Sequence, residues 1–178
     1  MGVDISGLKP VTKYSKPDKS HFNRESDFFD AIKEWESKHP GFYYNRNFWT
    51  WRPIHAVAQR VNESFDLGFN MERWGENSGY GLKNQLDCRI LADSIDKMMF
   101  EYDADSIQVC YGSWNTWSGY RLTEEEKDSL NEDYPKGTIL YSSITLGSEI
   151  VISNHYATRE DFSEFTEFLR NCGGFEIW

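Results

Sequence analysis

Residues 43–61 constrain the fold more than any other stretch, because the sequence pattern changes at Pro53. Residues 43–52 hold five aromatic rings, two arginines and two asparagines. The apolar residues that follow recur at helical spacing: Ile54, Val57, Ala58 and Val61. Proline is favoured in the first turn of a helix, where its missing N–H costs nothing. The sequence therefore predicts an extended segment that gives way to a helix at Pro53, with Arg52 at the helix start.

The composition indicates a globular chain with an aromatic core. Of the 178 residues, 16% are aromatic, 27% are charged and 39% are apolar, which is enough for one core without disulfides or metal. We expect a single domain over residues 1–178. The net charge of −10 opposes binding to DNA, RNA or anionic membrane, although one or two arginines can still hold a small anion locally. Mimicry of nucleic acid is disfavoured, because the acidic residues are interspersed with Lys and Arg.

The three cysteines predict neither a zinc site nor a disulfide framework. Cys88, Cys110 and Cys172 are far apart and odd in number, and there is no C-x-x-C pair. We expect no metal or cofactor, and we interpret Cys88 and Cys172 as small buried hydrophobes. The first residues lack the order of a signal peptide, and no apolar run approaches transmembrane length, so a cytoplasmic protein is expected.

The pattern of elements predicts an α+β fold. Strands are predicted at residues 3–8, 107–111, 139–145, 149–153 and 175–178. Helices are predicted at residues 26–38, 54–61, 82–102, 123–131 and 159–171. Thr158 is expected to cap the last helix, whose face is Phe162, Phe165 and Leu169, and Gly173 and Gly174 to end it. We therefore expect a small, mainly antiparallel sheet with neighbouring N- and C-terminal strands, packed with about four to five helices.

The helix at residues 82–102 is expected to be central. Its apolar residues form a broad face, which suggests cover on more than one side: Leu86, Ile90, Leu91, Ile95, Met98 and Met99.

Four segments together resemble a group of short phage and bacterial proteins without an assigned activity. They are the N-terminal Met-Gly-Val-Asp-Ile-Ser-Gly-Leu, the Trp-Thr-Trp-Arg-Pro run, the loop at 77–82 and the closing Gly-Gly-Phe-Glu-Ile. The resemblance implies a phage or bacterial accessory protein. Relative to that group, residues 11–40 and 106–155 are interpreted as insertions.

The first candidate ligand site is formed by Asn47, Trp49, Trp51 and Arg52. Two Trp residues spaced by two on an extended strand point the same way, so their faces can share a flat group while Arg52 pairs with a phosphate or carboxylate. In the alternative interpretation the rings fill the core and Arg52 forms a salt bridge with an acid.

A second candidate is the glycine-rich loop with Asn77, Ser78, Gly79 and Gly81. Just before a helix, its backbone N–H groups would lie where the helix dipole favours an anion. It lacks the spacing of a P-loop, and a plain turn would explain it equally.

A third candidate is the loop at residues 112–119, where Trp114 and Trp117 lie between glycines. This pattern favours a lid or a partner-facing tip, and a loop anchored by its own Trp residues is the alternative.

Catalytic signatures are weak, and we predict no catalytic residue. The four histidines are scattered, and only His55 lies near the first site, where a structural role is more common than proton transfer. No nucleophile occupies a recognisable elbow.

These observations favour a protein that binds a small, flat, anionic molecule such as a nucleotide-derived signal, in counter-defence. A protein–protein inhibitor or adaptor that blocks a host enzyme through an acidic, Trp-bearing surface is the alternative. A hydrolase of such a signal ranks last.

Overall fold

The computed structural model describes residues 2–101, 108–111, 118–121, 134, 135, 137–144 and 150–178. The strands in these ranges are β1 (Gly2–Gly7), β2 (Tyr43–Asn47), β3 (Gln108–Tyr111), β4 (Ser118–Arg121), β5 (Ile139–Ile144), β6 (Ile150–Ala157) and β7 (Phe175–Ile177). The α-helices are α1 (Glu25–Ser37), α2 (Phe48–Ser64), α3 (Gln85–Glu101) and α4 (Arg159–Asn171). The predicted α+β class is confirmed.

The first and last strands pair with each other in a three-stranded antiparallel sheet. Strand β1 lies at the centre, between β2 and β7. Val3 and Ile5 are buried whereas Asp4 is exposed, because successive side chains of a strand point to opposite faces. Ile5 lies opposite both Tyr44 and Ile177, so the buried face continues across the sheet. The prediction that the terminal strands are neighbours is confirmed.

Residues 79–82 cover the outer edge of β7. The Ile177 amide donates to the Tyr80 carbonyl at 3.0 Å, and the Phe175 amide donates to the Leu82 carbonyl at 2.7 Å. Gly81 permits this approach, since a Cβ here would lie 2.3 Å from the Phe175 carbonyl oxygen. Backbone groups that would otherwise be open to pairing with another chain are thereby occupied.

A second sheet has the order β4-β3-β5-β6, in which only the β3–β5 pairing is parallel. The β5–β6 hairpin was predicted, but β6 extends beyond the predicted end at residue 153 to Ala157. This extension places His155 opposite Tyr141 on β5. The sequence did not predict that the hairpin belongs to a sheet separate from that of the chain ends.

Helix α2 begins earlier than predicted, directly after β2. The Asn47 side chain accepts a hydrogen bond from the Thr50 amide at 2.9 Å and caps the helix. Pro53 therefore lies inside the helix, where its missing N–H removes a bond to the Trp49 carbonyl. The prediction that Arg52 lies at the helix start is wrong, because a full turn precedes it.

Helix α2, rather than α3, is the central helix. It packs against both sheets and against α3 and α4. Its buried residues are Trp51, Pro53, Ile54, His55, Val57, Ala58 and Val61. On α3 the predicted broad face is too wide, since Leu86 is 67% and Ile90 is 38% exposed. Helix α3 buries a single face: Cys88, Leu91, Ala92, Ile95 and Met98.

Helix α4 agrees with its prediction at both ends. The Thr158 side chain accepts from the Asp161 amide, while the Asp161 side chain accepts from the Thr158 amide. The predicted face is buried: Phe162, Phe165 and Leu169. The chain leaves the helix through Gly173 at a φ of 67°, and a Cβ there would lie 2.2 Å from the Lys9 carbonyl oxygen.

The predicted helix at 123–131 and the side chains of Trp114 and Trp117 lie outside the described residues. Within the described ranges, every helix is too short or too polar to span a bilayer.

Candidate functional site at the start of helix α2

Trp49 and Trp51 lie on different sides of the structure. On a helix, residues spaced by two are separated by roughly 200°, because each residue turns the chain by about 100°. Trp49 is 57% exposed, whereas Trp51 is 1% exposed. The prediction that both rings share one face is wrong, because the segment is helical rather than extended.

Trp51 is part of the hydrophobic core. Its indole Nε1 donates to the Trp74 carbonyl at 3.0 Å. The ring meets Phe165 edge-on at 5.5 Å between centroids. With its polar atom satisfied and its faces covered, Trp51 offers no surface to a ligand.

Arg52 is held at its guanidinium by an aromatic ring and a histidine. The guanidinium lies 4.4 Å from the Phe48 ring centroid, on the same side of α2. Its Nη1 donates to Nδ1 of His155 at 3.3 Å. The Nε atom is buried and has no hydrogen-bond partner in the part of the chain that the structure describes. Within the described residues no carboxylate pairs with Arg52, so the predicted alternative of a structural salt bridge is absent from this part of the chain.

Arg46, on β2, has the opposite environment. Its Nε donates to Asp161 at 2.9 Å and its Nη2 pairs with Glu164, so it ties β2 to α4. Its positive charge is already balanced by two carboxylates. Of the two arginines in residues 43–52, Arg52 is the one suited to receive an external anion.

His155 joins the Arg52 cluster from β6. It is 6% exposed, and its ring lies 4.3 Å from Trp49 and 6.1 Å from Tyr141, measured between centroids. Burial, followed by the charge of Arg52, lowers the pKa of His155 below its ordinary value. The neutral ring therefore accepts at Nδ1 from Arg52 and carries its proton on Nε2.

We call Phe48, Trp49, Arg52, Tyr141 and His155 the α2–β6 cluster. Trp49 and Arg52 were predicted from the sequence, whereas the contributions of Phe48, Tyr141 and His155 were not. No local pattern marks His155, because its role depends on β6 packing against α2. To predict this role, β6 would have had to be extended past Ser153. Residues 154–157 have only moderate strand propensity, so the sequence did not indicate that extension.

Two amides of the loop at residues 77–81 are used within the fold and are not available to an anion. Ser78 and Gly79 both donate to the Ile177 carbonyl, at 3.2 and 2.8 Å. Helix α3 starts only at Gln85, and Asn84 precedes it with a side chain that accepts from the Asp87 amide at 2.9 Å. The prediction that this loop opens the helix is wrong, because residues 82–84 intervene.

The two predicted halves of the site are held by different sheets. Gly79 lies against the Trp178 ring and Gly81 against Phe175, beside β7. Asn77 is exposed, and the Ser78 hydroxyl donates to the Arg73 carbonyl at 3.1 Å. The cluster instead faces β5 and β6. Asn47 remains near Trp49 and Arg52, but its side-chain oxygen is used in capping α2.

A groove of about 840 Å³ has Phe48 of the α2–β6 cluster among its lining residues. Its other lining residues are Gln59, Asn62, Glu63, Phe69, Asn70, Met71, Glu72, Arg73, Gly75 and Glu76. Three carboxylates and one guanidinium give it a negative balance. An anion is therefore favoured at Arg52 rather than within the groove.

His55 and the two described cysteines are buried away from the cluster. The His55 Nε2–H donates to the Met71 carbonyl at 3.3 Å, and burial lowers its pKa to about 4. At 3% exposure it is a structural histidine rather than a proton donor to a ligand. Cys88 and Cys172 are fully buried, as predicted, and the hydrogen bond between their thiols together with burial raises the pKa of Cys88.

Within the described ranges, no group of three or more His, Cys, Asp or Glu side chains is placed to hold a metal ion. Comparison of the chain with protein-family models, with curated proteins and with solved structures gave no match. A function is therefore inferred from the geometry of the α2–β6 cluster.

Proposed function

We propose that this protein binds a small, flat, anionic molecule, such as a nucleotide-derived signal, at the α2–β6 cluster. The Trp49 ring stacks against the flat group, and Arg52 binds the phosphate or carboxylate. In line with the resemblance to phage proteins, we further propose that it sequesters such a signal in the cytoplasm of an infected cell, in counter-defence.

One observation carries this proposal: among the described residues, the Arg52 guanidinium pairs with no carboxylate and its buried Nε has no hydrogen-bond partner. An unpaired buried polar atom costs on the order of 1–3 kcal/mol, and more when the group is charged. The stacking on Phe48 fixes the guanidinium but leaves this donor unused. A phosphate or carboxylate oxygen at the solvent-facing part of this half-buried guanidinium would balance its charge.

The exposed Trp49 ring beside this guanidinium supports a ligand that is both planar and charged. Stacking of a base on an aromatic side chain contributes about 1–3 kcal/mol and tolerates different bases. The Trp49 ring contacts His155 at 4.3 Å between centroids, which supports its position. The residue is 57% exposed, so part of the ring is open to a ligand. A nucleotide-like molecule would match both groups at once.

Calorimetry with a panel of mononucleotides, cyclic nucleotides and dinucleotides tests the proposal. We expect at least one to bind the wild-type protein, and Trp49→Ala and Arg52→Gln each to weaken it at least tenfold, which is about 1.4 kcal/mol. Phe100→Ala and Arg60→Gln are the matched controls. Phe100 is exposed, at 89%, and Arg60 lies two turns further along α2.

The controls should bind the panel ligand as the wild-type protein does. If no member of the panel binds the wild-type protein, the proposal is wrong. If Phe100→Ala and Arg60→Gln weaken binding as much as the cluster variants, binding occurs elsewhere and the assignment to the cluster is wrong.

A further inference from the structure

We propose that His155 is the second anion-binding group of the cluster and takes up a proton from solvent when the anion binds. This inference rests on the proposed function, because it concerns how the same site holds its ligand. It implies that the anion binds more tightly at lower pH.

Anion binding and protonation of His155 are coupled because Arg52 and His155 lie close together. Nη1 of Arg52 lies 3.3 Å from Nδ1 of His155. An anion that accepts hydrogen bonds from the guanidinium edge therefore lies close enough to interact with the imidazole as well. In the ligand-free protein, Nδ1 accepts from Arg52. When the anion accepts the guanidinium N–H in its place, Nδ1 loses this donor, takes up a proton and donates to the anion.

The charges around His155 explain why the ring takes up a proton when the anion binds and not before. Arg52 of α2 and Tyr141 of β5 are the two titratable groups whose contacts with the ring lie among the described residues. The positive Arg52 disfavours an imidazolium and contributes to the lowered pKa. A bound anion reverses that effect, because an opposite charge within about 4–6 Å favours the charged form.

The aromatic neighbours suit both protonation states. The Trp49 ring lies 4.3 Å from the imidazole at an interplanar angle of 36°, and Tyr141 lies 6.1 Å away at 29°. An indole face attracts a cation, so Trp49 stabilises the imidazolium by cation–π interaction without moving. His155 can therefore gain charge inside a site that is 94% shielded from solvent only because the ligand and these rings compensate it.

The test follows the histidine resonances by NMR across pH 5 to 8, with sodium sulfate or sodium chloride at equal ionic strength. Sulfate is the probe because it does not titrate in this range, whereas a phosphate monoester takes up its own proton near pH 6. His155→Gln identifies the resonance. We expect sulfate to raise the His155 midpoint by about one pH unit, which corresponds to tenfold tighter binding at the acidic end.

Two comparisons make the result specific. The exposed His21 should keep its midpoint in sulfate, as the internal control. In Arg52→Gln, the His155 midpoint should rise in chloride, because the neighbouring positive charge is gone, and sulfate should no longer change it. A purely structural His155 would not respond to sulfate in either protein.

The outcomes separate this inference from the proposed function. If a nucleotide binds in a Trp49-dependent way but neither it nor sulfate changes the His155 midpoint, the inference is wrong and the proposed function stands. If sulfate raises the midpoint while no nucleotide binds, the anion site is supported and the proposed ligand class is wrong.

Discussion

At the scale of single residues, their neighbours distinguish three buried histidines, His39, His55 and His155. His39 is fixed by two backbone contacts: its Nδ1 donates to the Trp35 carbonyl at 2.6 Å and its Nε2 accepts from the Lys13 amide at 2.9 Å. His55 lies between Trp51 and Trp74 in the core. Only His155 combines burial with a neighbouring cation and an exposed aromatic ring.

His55 should make stability depend on pH in the acidic range. The unfolded chain binds a proton at this residue with an ordinary pKa of 6.5, whereas the folded chain binds it only near pH 4. The stabilisation is therefore complete above about pH 6.5 and is lost as the pH falls towards 4. The loss from His55 corresponds to roughly 3 kcal/mol in the free energy of unfolding.

Urea unfolding at a series of pH values checks this expectation. His55→Gln keeps an N–H for the Met71 carbonyl but does not titrate, so its stability should change less between pH 7 and pH 4 than that of the wild-type protein. His21→Gln, on an exposed turn, should follow the wild-type curve. A His55→Gln curve as steep as the wild-type one would contradict the assignment.

At the scale of elements, the start of α2 decides which of its residues are exposed. A start at Phe48 puts Trp49 outside and Trp51 inside, whereas an extended segment would have put them together. The signal for this start was present: Asn is a preferred N-cap, and Phe48, Trp51 and Ile54 follow it at intervals of three. Pro53 was the misleading residue, because its preference for the first turn placed the start too late.

The Asn47 cap should be needed for the stability of α2. Asn47→Ala removes the acceptor for the Thr50 amide and should lower the free energy of unfolding by about 1 kcal/mol. Asn47→Asp should retain most of that stability, because aspartate caps as well as asparagine. Chemical denaturation measures both variants, with Asn23→Ala on the exposed loop as control. An equal loss in Asn47→Ala and Asn23→Ala would show that the cap contributes nothing.

Elements with strong local signals were predicted, and those defined by long-range packing were not. The terminal strands, the β5–β6 hairpin and helix α4 each carry their own alternation, turn or cap, and the structure has all of them. The narrow buried face of α3 and the role of His155 depend on which element packs alongside. One sequence does not encode those neighbours locally, so Leu86 and Ile90 were assigned to a core that does not reach them.

At the scale of the whole molecule, Gly173 joins helix α4 to the sheet of the chain ends. It combines a φ of 67° with close approach to Lys9, where a Cβ would meet the carbonyl oxygen at 2.2 Å. Gly68 has nearly the same φ, 71°, but nothing within 4 Å of the added Cβ. A comparison of Gly68 and Gly173 therefore distinguishes the cost of a left-handed backbone conformation from the cost of a close contact.

Alanine at these two positions should have different costs. Gly68→Ala should lower the free energy of unfolding by about 1–2 kcal/mol, the cost of a left-handed conformation for an L-residue. Gly173→Ala should lose a further 1–3 kcal/mol or so, because the chain near Lys9 must move. Thermal and urea unfolding measure the difference. Equal losses would mean that the approach between Gly173 and Lys9 relaxes without cost.

The position of β1 between β2 and β7 also has a consequence for the order in which its two partners join it. The Asp4 and Trp178 backbones exchange hydrogen bonds at 3.1 and 2.7 Å, so the start of β1 is tied to Trp178. Strand β2 lies about 40 residues from β1 along the chain, whereas β7 lies about 170 residues away. The β1–β7 pairing therefore closes the longer loop at the larger entropic cost, and we expect it to form after the β1–β2 pairing.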